Sequence, residues 1–416
     1  MKKFILSIIG ISIFALLTGC FTGSPIPNTI TSNETATENS ESSEVISSNV
    51  NQATSSVAIY SASDLFTSRD LEQEVDLEEA IYYTIEDSKD IIISKEGTYV
   101  IKWSAKEVTI YVEVWNDEKV QLILDWVNIS NSDFPCIYVK QADKVFITTT
   151  DSENLLEVTW ELIDDWEVNT NWVIFSREDL TLNGVWSITI NSTKNGIVWK
   201  DDLKITWGNY TITASKKAID ANDSIRIYDW EFILNAWTDW LHAENSDDDS
   251  LGYIYIGWWN FNITAWDDAI HWVSTIQIDD WNFTITWAEG IEWTHVQINW
   301  GNISIAATDD WINAAHKSDA IDVAFEINWG YVKIIMGEWD TDWVDSNGNL
   351  YIYWWILDIS ARSPTDYDGS VIYSWGTLII DGTEYSYVPN QMMWWRWWNM
   401  QWMKNWRWWK WMSFMQ

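Results

Sequence analysis

One pattern recurs through the second half of this chain, and it limits the fold more than any other feature. Residues 254–271 read I-Y-I-G-W-W-N-F-N-I-T-A-W-D-D-A-I-H: an alternating strand, a turn, a second alternating strand, then an acidic turn. Residues 205–220, 225–242, 276–292 and 296–313 repeat it, and 325–345 is a longer version. The equivalent isoleucines stand at 205, 227, 256, 278, 298, 327 and 352, 20 to 29 residues apart. A period of two inside each unit means strands, because successive side chains of a strand point to opposite faces. A unit this short cannot bury its own apolar face, so neighbouring units must stack to share a core. The unequal spacing suits coils joined by loops of different length. The expectation is an all-β chain wound as a parallel β-helix.

Tryptophan is the anomaly. The chain holds 36 Trp and 17 Gly. Trp follows Asn or Asp at turn after turn: Asp125-Trp126, Asp229-Trp230, Asp280-Trp281, Asn299-Trp300, Asn328-Trp329. Asn-Gly or Asp-Gly is expected there, because the second residue often needs positive φ. Asn183-Gly184 has that form, while Trp-Trp pairs occupy turns at 258–259 and 354–355. With Trp read as Gly, residues 390–416 become an ordinary flexible Gly/Met/Arg tail. Some bacteria reassign the UGA stop codon to glycine and others to tryptophan. Translation with the wrong table would leave this pattern, so most of these Trp are expected to be glycine in the cell. The alternative is that they are genuine and stack on sugars.

Residues 1–20 read as an export signal. Lys2 and Lys3 precede an apolar run at 4–17 that is too short for a permanent span. It ends L-T-G-C, which resembles the lipobox of bacterial lipoproteins, with Cys20 as the lipidated residue. An exported, lipid-anchored surface protein is expected, with the membrane as partner through that anchor. Cys136 is then the one remaining thiol, so no disulfide framework is possible; its apolar strand makes it a buried small hydrophobe. Residues 21–62, rich in Ser, Thr and Asn, read as a linker that cannot bury enough surface to fold. The folded domain is expected over 63–389, opening with a cap that protects the end coil's strand edge, because an open end exposes unpaired groups. A monomer is expected.

The net charge is −38, from 62 acids and 24 bases, which argues against a nucleic-acid partner. The acids have fixed places. After the second strand of successive units come Asp239, then Asp267 and Asp268, then Glu289 and Glu292, then Asp309 and Asp310, then Asp340, Asp342 and Asp345. Equivalent positions on adjacent coils lie about 4.8 Å apart. Carboxylates at that spacing repel unless a cation lies between them, and hard oxygen ligands suit Ca²⁺. The plain alternative is a solvated acidic edge screened by salt.

With Trp read as Gly, the segments V-Q-L-I-L-D-W-V-N-I (120–129), A-W-D-D-A-I-H (265–271), A-E-G-I-E-W (288–293), T-D-D-W-I-N-A-A (308–315) and the tail resemble a family of bacterial surface proteins known as carbohydrate-binding domain-containing proteins. The resemblance covers about residues 65–416. It implies a right-handed parallel β-helix related to polysaccharide lyases, bound calcium, and a polysaccharide partner of plant or acidic type. Genuine Trp in the turns would be a departure from that family.

A β-helix lyase would need calcium to acidify a proton next to a uronate carboxylate, and a Lys or Arg base. Lys200, Lys216, Lys217 and Arg226 are the candidate bases. His242 and His271 hold the same place in their units, which fits a supporting or substrate-contacting role for them, as for Lys216 and Lys217, better than catalysis. No nucleophile motif appears, and no catalytic residue is assigned. Polysaccharide binding through a calcium-stabilised β-helix is the leading expectation. A calcium-dependent lyase on the same scaffold and a purely adhesive surface protein are the alternatives.

Overall fold

The computed structural model describes residues 58–390, apart from 163–170, 266–269, 273, 287–290, 308–311, 337–341 and 362. Cys20, the linker before 58 and the tail after 390 lie outside the described residues.

The chain winds in coils of three strands. Asp202–Ile205, Asn209–Ala214 and Ile219–Ala221 make one coil; in the next, the first two strands run together as Ser224–Ala236 and Leu241–Ala243 is the third. Each strand pairs in parallel with its counterpart one coil away. The first and second strand columns form one 21-stranded sheet and the third column a separate 12-stranded sheet. Thr377–Ile380 and Thr383–Tyr385 close the last described coil as an antiparallel hairpin. This is the parallel β-helix that the repeats demand.

The register explains the repeats. Ile205, Ile227, Ile256, Ile278, Ile298, Ile327 and Ile352 are successive Cα partners across seven coils. All are fully buried. A second column runs down the third sheet through Ile174, Ile197, Ile219, Leu241, Ile270, Ile291, Ile312 and Val344. Each such side chain contributes roughly 1.5–3 kcal/mol on burial. A one-residue slip would turn a whole column outward, so the register is tightly held. Cys136 sits in this core, wholly buried, with burial pushing its thiol well above the usual range.

The N-terminal segment runs along the flank of the coils. Its one helical turn is Ala62–Leu65, and Arg69–Ala80 carries no helix. Tyr60 exchanges hydrogen bonds with Gln277, Phe66 packs on Tyr228 and Tyr255, and Gln73 accepts from the Gly184 N–H. Asp70 is fully buried, and its carboxylate takes both Lys144 and Lys204 as partners and accepts from Thr181. Burial pushes the Asp70 carboxyl up, but the hydrogen bonds from Lys144 and Thr67 and the two lysine charges outweigh it, and the net shift is well below the carboxylate range. Two outward lysines on the first strand column thus fix where this segment must lie. The strand Ile81–Thr84 then pairs with Gly97–Lys106 and covers that end of the sheet.

One corner column carries the tryptophan anomaly. Trp230, Trp259 and Trp281 are register partners in consecutive coils, and Gly330 pairs with Trp355. Neighbouring pairs extend the column by one residue from each printed partner. Asn209 with Glu231 puts Gly208 opposite Trp230; Asn282 with Asn302 and Asn302 with Tyr331 put Gly301 between Trp281 and Gly330. Ser187 with Asn209 adds Trp186, and Ile356 with Thr377 adds Gly376. From Trp186 to Gly376 this corner holds glycine or tryptophan and nothing else. The glycines show why. Gly208, Gly301 and Gly330 have φ of 116°, 151° and 136°, and a Cβ on Gly330 would lie 2.1 Å from the Gly301 carbonyl oxygen. Elsewhere, Trp103, Trp126 and Trp375 stand at φ of 83°, 60° and 62°, a region costly for bulky residues. Trp172, Trp199, Trp293 and Trp355 are buried with indole N–H groups that find no hydrogen-bond partner among the described residues. Buried Trp normally finds one.

Candidate functional site

One register position of the third sheet carries a row of polar residues. The sheet's inward column is apolar, and the row is the next residue on each strand. Register places Asp220, His242, His271, Glu292, Asn313, Asp345 and Asp366 one above another on seven successive coils. Coils stack at about 4.8 Å, so the row is a straight ladder of hydrogen-bonding and charged groups along the solenoid axis.

At one end of the ladder the groups interlock. The His242 Nδ1 lies 2.7 Å from the Asp220 carboxylate, and Lys217 Nζ lies 3.5 Å from the same carboxylate and 3.7 Å from Asp239. Burial pushes the Asp220 carboxyl up, but the His242 hydrogen bond and the Lys217 charge prevail and the net shift is downward. The His242 and His271 rings stand perpendicular with centroids 5.4 Å apart. Asp239, His242 and His271 each bring a ligand atom within 4.8 Å of the others. A cavity of about 300 Å³ opens beside them, lined among others by Glu244, Asn245, Asp249 and Lys317. At the other end, burial and then repulsion from Asp345 and Asp368 push Asp366 up to about 6. Asp345 is raised for the same reasons, burial first and then Asp368.

A second cluster lies where the third strand turns into the first. Asp179, Asp201 and Asp202 bring carboxylate oxygens within 4.8 Å of one another. Burial, then Asp179, Asp202 and Asp223, push Asp201 up to about 6. Asp179 is raised by burial and by Asp202, against Lys144, Lys204 and Arg226. Arg226 pairs with Asp202. An all-oxygen donor set whose members repel one another fits a hard cation such as Ca²⁺. The Asp239–His242–His271 set does not, because two of its three donors are imidazole nitrogens.

The acids singled out in the sequence are thus distributed unevenly. Asp239 and Asp345 are described, and they lie toward the two ends of the polar ladder. Glu292 and Asp342 lie on the strands Ile291–Trp293 and Asp342–Ser346. Asp267, Asp268, Glu289, Asp309, Asp310 and Asp340 lie outside the described residues. His242, His271 and Lys217 come together, whereas Lys216 is exposed. Lys200 reaches Asn222. Sequence reasoning missed Asp179, Asp201, Asp202 and Asp220. A signal existed for the last: Asp220 ends the same unit that His242 ends one repeat later.

Trp300, Trp329, Trp354 and Trp375, one residue before the glycine corner, form an exposed stack with centroids 5.2–5.6 Å apart. Rings piled face to face cover each other's faces and leave edges for solvent.

The family model for carbohydrate-binding domain-containing protein matches residues 87–342. A carbohydrate-binding domain-containing protein of Acetivibrio thermocellus is 33% identical over 196 residues, which is 46% of this chain and 68% of that one. A solved structure of the polysaccharide lyase-like protein from C. thermocellum, a gadolinium derivative, is 22% identical with a TM-score of 0.42; the match covers 72% of this chain and 96% of that one.

Proposed function

This chain belongs to the family of carbohydrate-binding domain-containing proteins, and from that premise we propose that it binds a linear polysaccharide along the third-sheet ladder. The observation that carries this reading is the register of Asp220, His242, His271, Glu292, Asn313, Asp345 and Asp366. A straight row of polar groups repeating once per coil suits a polymer that repeats along its own axis. The chain's strong negative charge repels an acidic polymer, so a uronate-containing ligand requires a bridging cation. Calcium is the proposed cation, held in the described part by Asp179, Asp201 and Asp202, with the acids at 267, 268, 289, 309, 310 and 340 as further proposed ligands. It supplies positive charge that neutralises facing carboxylates. Export and lipidation at Cys20 would set the domain on the cell surface.

The lyase alternative needs a free base; Lys217 is held between Asp220 and Asp239, Arg226 pairs with Asp202 and Lys200 reaches Asn222, which leaves the exposed Lys216 as its candidate. Binding is the reading that the family supports. Affinity electrophoresis in gels containing polygalacturonate, xylan or soluble cellulose derivatives tests it, with calcium or with chelator. Retardation by at least one polymer is expected, weakened in His271→Ala and Asp366→Asn. Unchanged mobility in every gel would overturn binding. Appearance of ultraviolet-absorbing unsaturated product would favour the lyase instead.

The choice of the ladder over the exposed Trp stack rests on the glycine corner. We infer that the tryptophans of that corner and of the preceding turn positions are glycine in the protein as its own cell makes it, through reassignment of UGA. The observation is that one structural position is filled by either glycine or tryptophan from coil to coil, and that three of its four glycines, Gly208, Gly301 and Gly330, hold φ of 116–151°. Peptide mass spectrometry of natively produced protein across 254–271 and 349–380 tests this. Glycine masses are expected at 258, 259, 354, 355 and 375; tryptophan masses there would overturn the inference and return the stack to candidacy as a sugar platform.

A further inference from the structure

We propose that Asp239, His242 and His271 form a binding site for a divalent cation of the zinc class, separate from the all-oxygen corner that suits calcium. Three observations converge. The donor set is two imidazoles and one carboxylate, with ligand atoms already within 4.8 Å of one another. Calcium takes oxygen ligands, whereas Zn²⁺ readily takes histidine nitrogen with carboxylate oxygen and leaves a fourth position open. The perpendicular His242 and His271 rings, from adjacent coils, do not pile face to face.

The second observation is the support behind His242. Its Nδ1 is 2.7 Å from the Asp220 carboxylate. That partner favours Nδ1 as the protonated nitrogen and leaves Nε2, which faces the Glu244 carboxylate 3.7 Å away, as the nitrogen to bind a cation. Metal-bearing imidazoles are held in this way by a carboxylate behind them, which fixes both tautomer and ring angle. Asp220 is a positioning residue here.

The third is access. Beside the three ligands lies the cavity of about 300 Å³, so a bound cation would have room for water or for a ligand oxygen. Its wall carries Glu244, Asn245 and Asp249, further oxygen-bearing groups. Two ammonium groups oppose the cation: Lys317 in the cavity wall and, in direct competition for a ligand, Lys217, with Nζ 3.7 Å from Asp239. An ion at the site must displace that ammonium from Asp239. Removing the charge should therefore strengthen binding, an outcome that a plain Asp–His–Lys surface network does not entail.

Titration of the full chain with Co²⁺ as a spectroscopic probe tests the site, with no polysaccharide present, so that failure of the ladder reading and failure of this one are separate results. Visible absorption bands of nitrogen-ligated Co²⁺ are expected, abolished by stoichiometric Zn²⁺ and untouched by excess Ca²⁺. His271→Gln should abolish the bands, Asp220→Asn should weaken binding by about 10–100-fold, Lys217→Met should tighten it, and Asp201→Asn should leave it unchanged. Far-ultraviolet circular dichroism checks each variant's fold; should His242→Gln not fold, the partly exposed His271 decides the matter. Absence of bands in the parent chain would overturn the proposal. So would bands that persist in His271→Gln or that Ca²⁺ displaces.

Discussion

Asp201 is a carboxyl group in surroundings that disfavour its charge. Its folded pKa of about 6 lies above its ordinary 3.8, owing first to burial and then to Asp179, Asp202 and Asp223. Asp366 is placed likewise by burial, Asp345 and Asp368. For such groups the folded state binds more protons than the unfolded one between pH 4 and 6, so stability falls as pH rises through that window. Above it, the repulsion persists unless a cation relieves it. Without divalent ions, the thermal midpoint should drop from pH 4 to pH 6, and Asp201→Asn should flatten part of that drop. Added calcium should restore the midpoint at pH 7 in the parent and less so in the variant. A midpoint that climbs across the window in chelator would refute the assignment. At the glycine corner, Gly330→Ala should cost at least about 1–3 kcal/mol for its backbone conformation alone, with the contact on the Gly301 oxygen adding to it. In protein expressed with Trp at 259 and 281, replacing both by Gly should raise the midpoint in a thermal melt.

Among the elements, the flanking N-terminal segment has the sharpest energetic consequence. Asp70 answers two buried lysines at once. Removing one member of such a group leaves charge buried without compensation, typically at about 3–5 kcal/mol. Asp70→Asn should therefore lower the denaturant midpoint strongly. Combining it with Lys144→Met and Lys204→Met should recover part of the loss, because the uncompensated charges go too. A triple variant no better than Asp70→Asn would mean that this segment is held chiefly by Phe66 and its neighbours on Tyr253 and Tyr255. The third-sheet strands are the opposite case. They are short, such as Ile219–Ala221 and Leu241–Ala243, and gain their stability only from the coils above and below.

For the molecule as a whole, stability is distributed coil by coil, since each coil touches mainly its neighbours. Charge acts on the whole as well. At −38 the chain repels polyuronates, while a neutral polymer meets no such barrier. Chelation should therefore abolish retardation by polygalacturonate and leave retardation by a neutral polymer, if present, much less affected. Equal loss for both would mean that the cation supports the fold rather than bridging charge. A parallel melt in chelator separates those outcomes.

The winding of the chain was legible because it depends on a one-dimensional property. Isoleucines at 205, 227, 256, 278, 298, 327 and 352 alternate with polar residues, and stacked strands bring equal positions into register whatever the loop length. The suspicion about tryptophan was likewise local, since turn chemistry depends on adjacent residues. Tertiary structure alone decided what lies between coils. Asp179, Asp201 and Asp202 converge because one strand ends where the next coil begins, and sequence spacing says nothing about that corner. Asp70 finds Lys144 and Lys204 across the flank, 74 and 134 residues away. The partnership of Asp220, Asp239, His242 and His271 is a matter of register too, joined to the turn before each third strand. Local pattern determines which face a residue takes; only the folded coils determine which charges must share it.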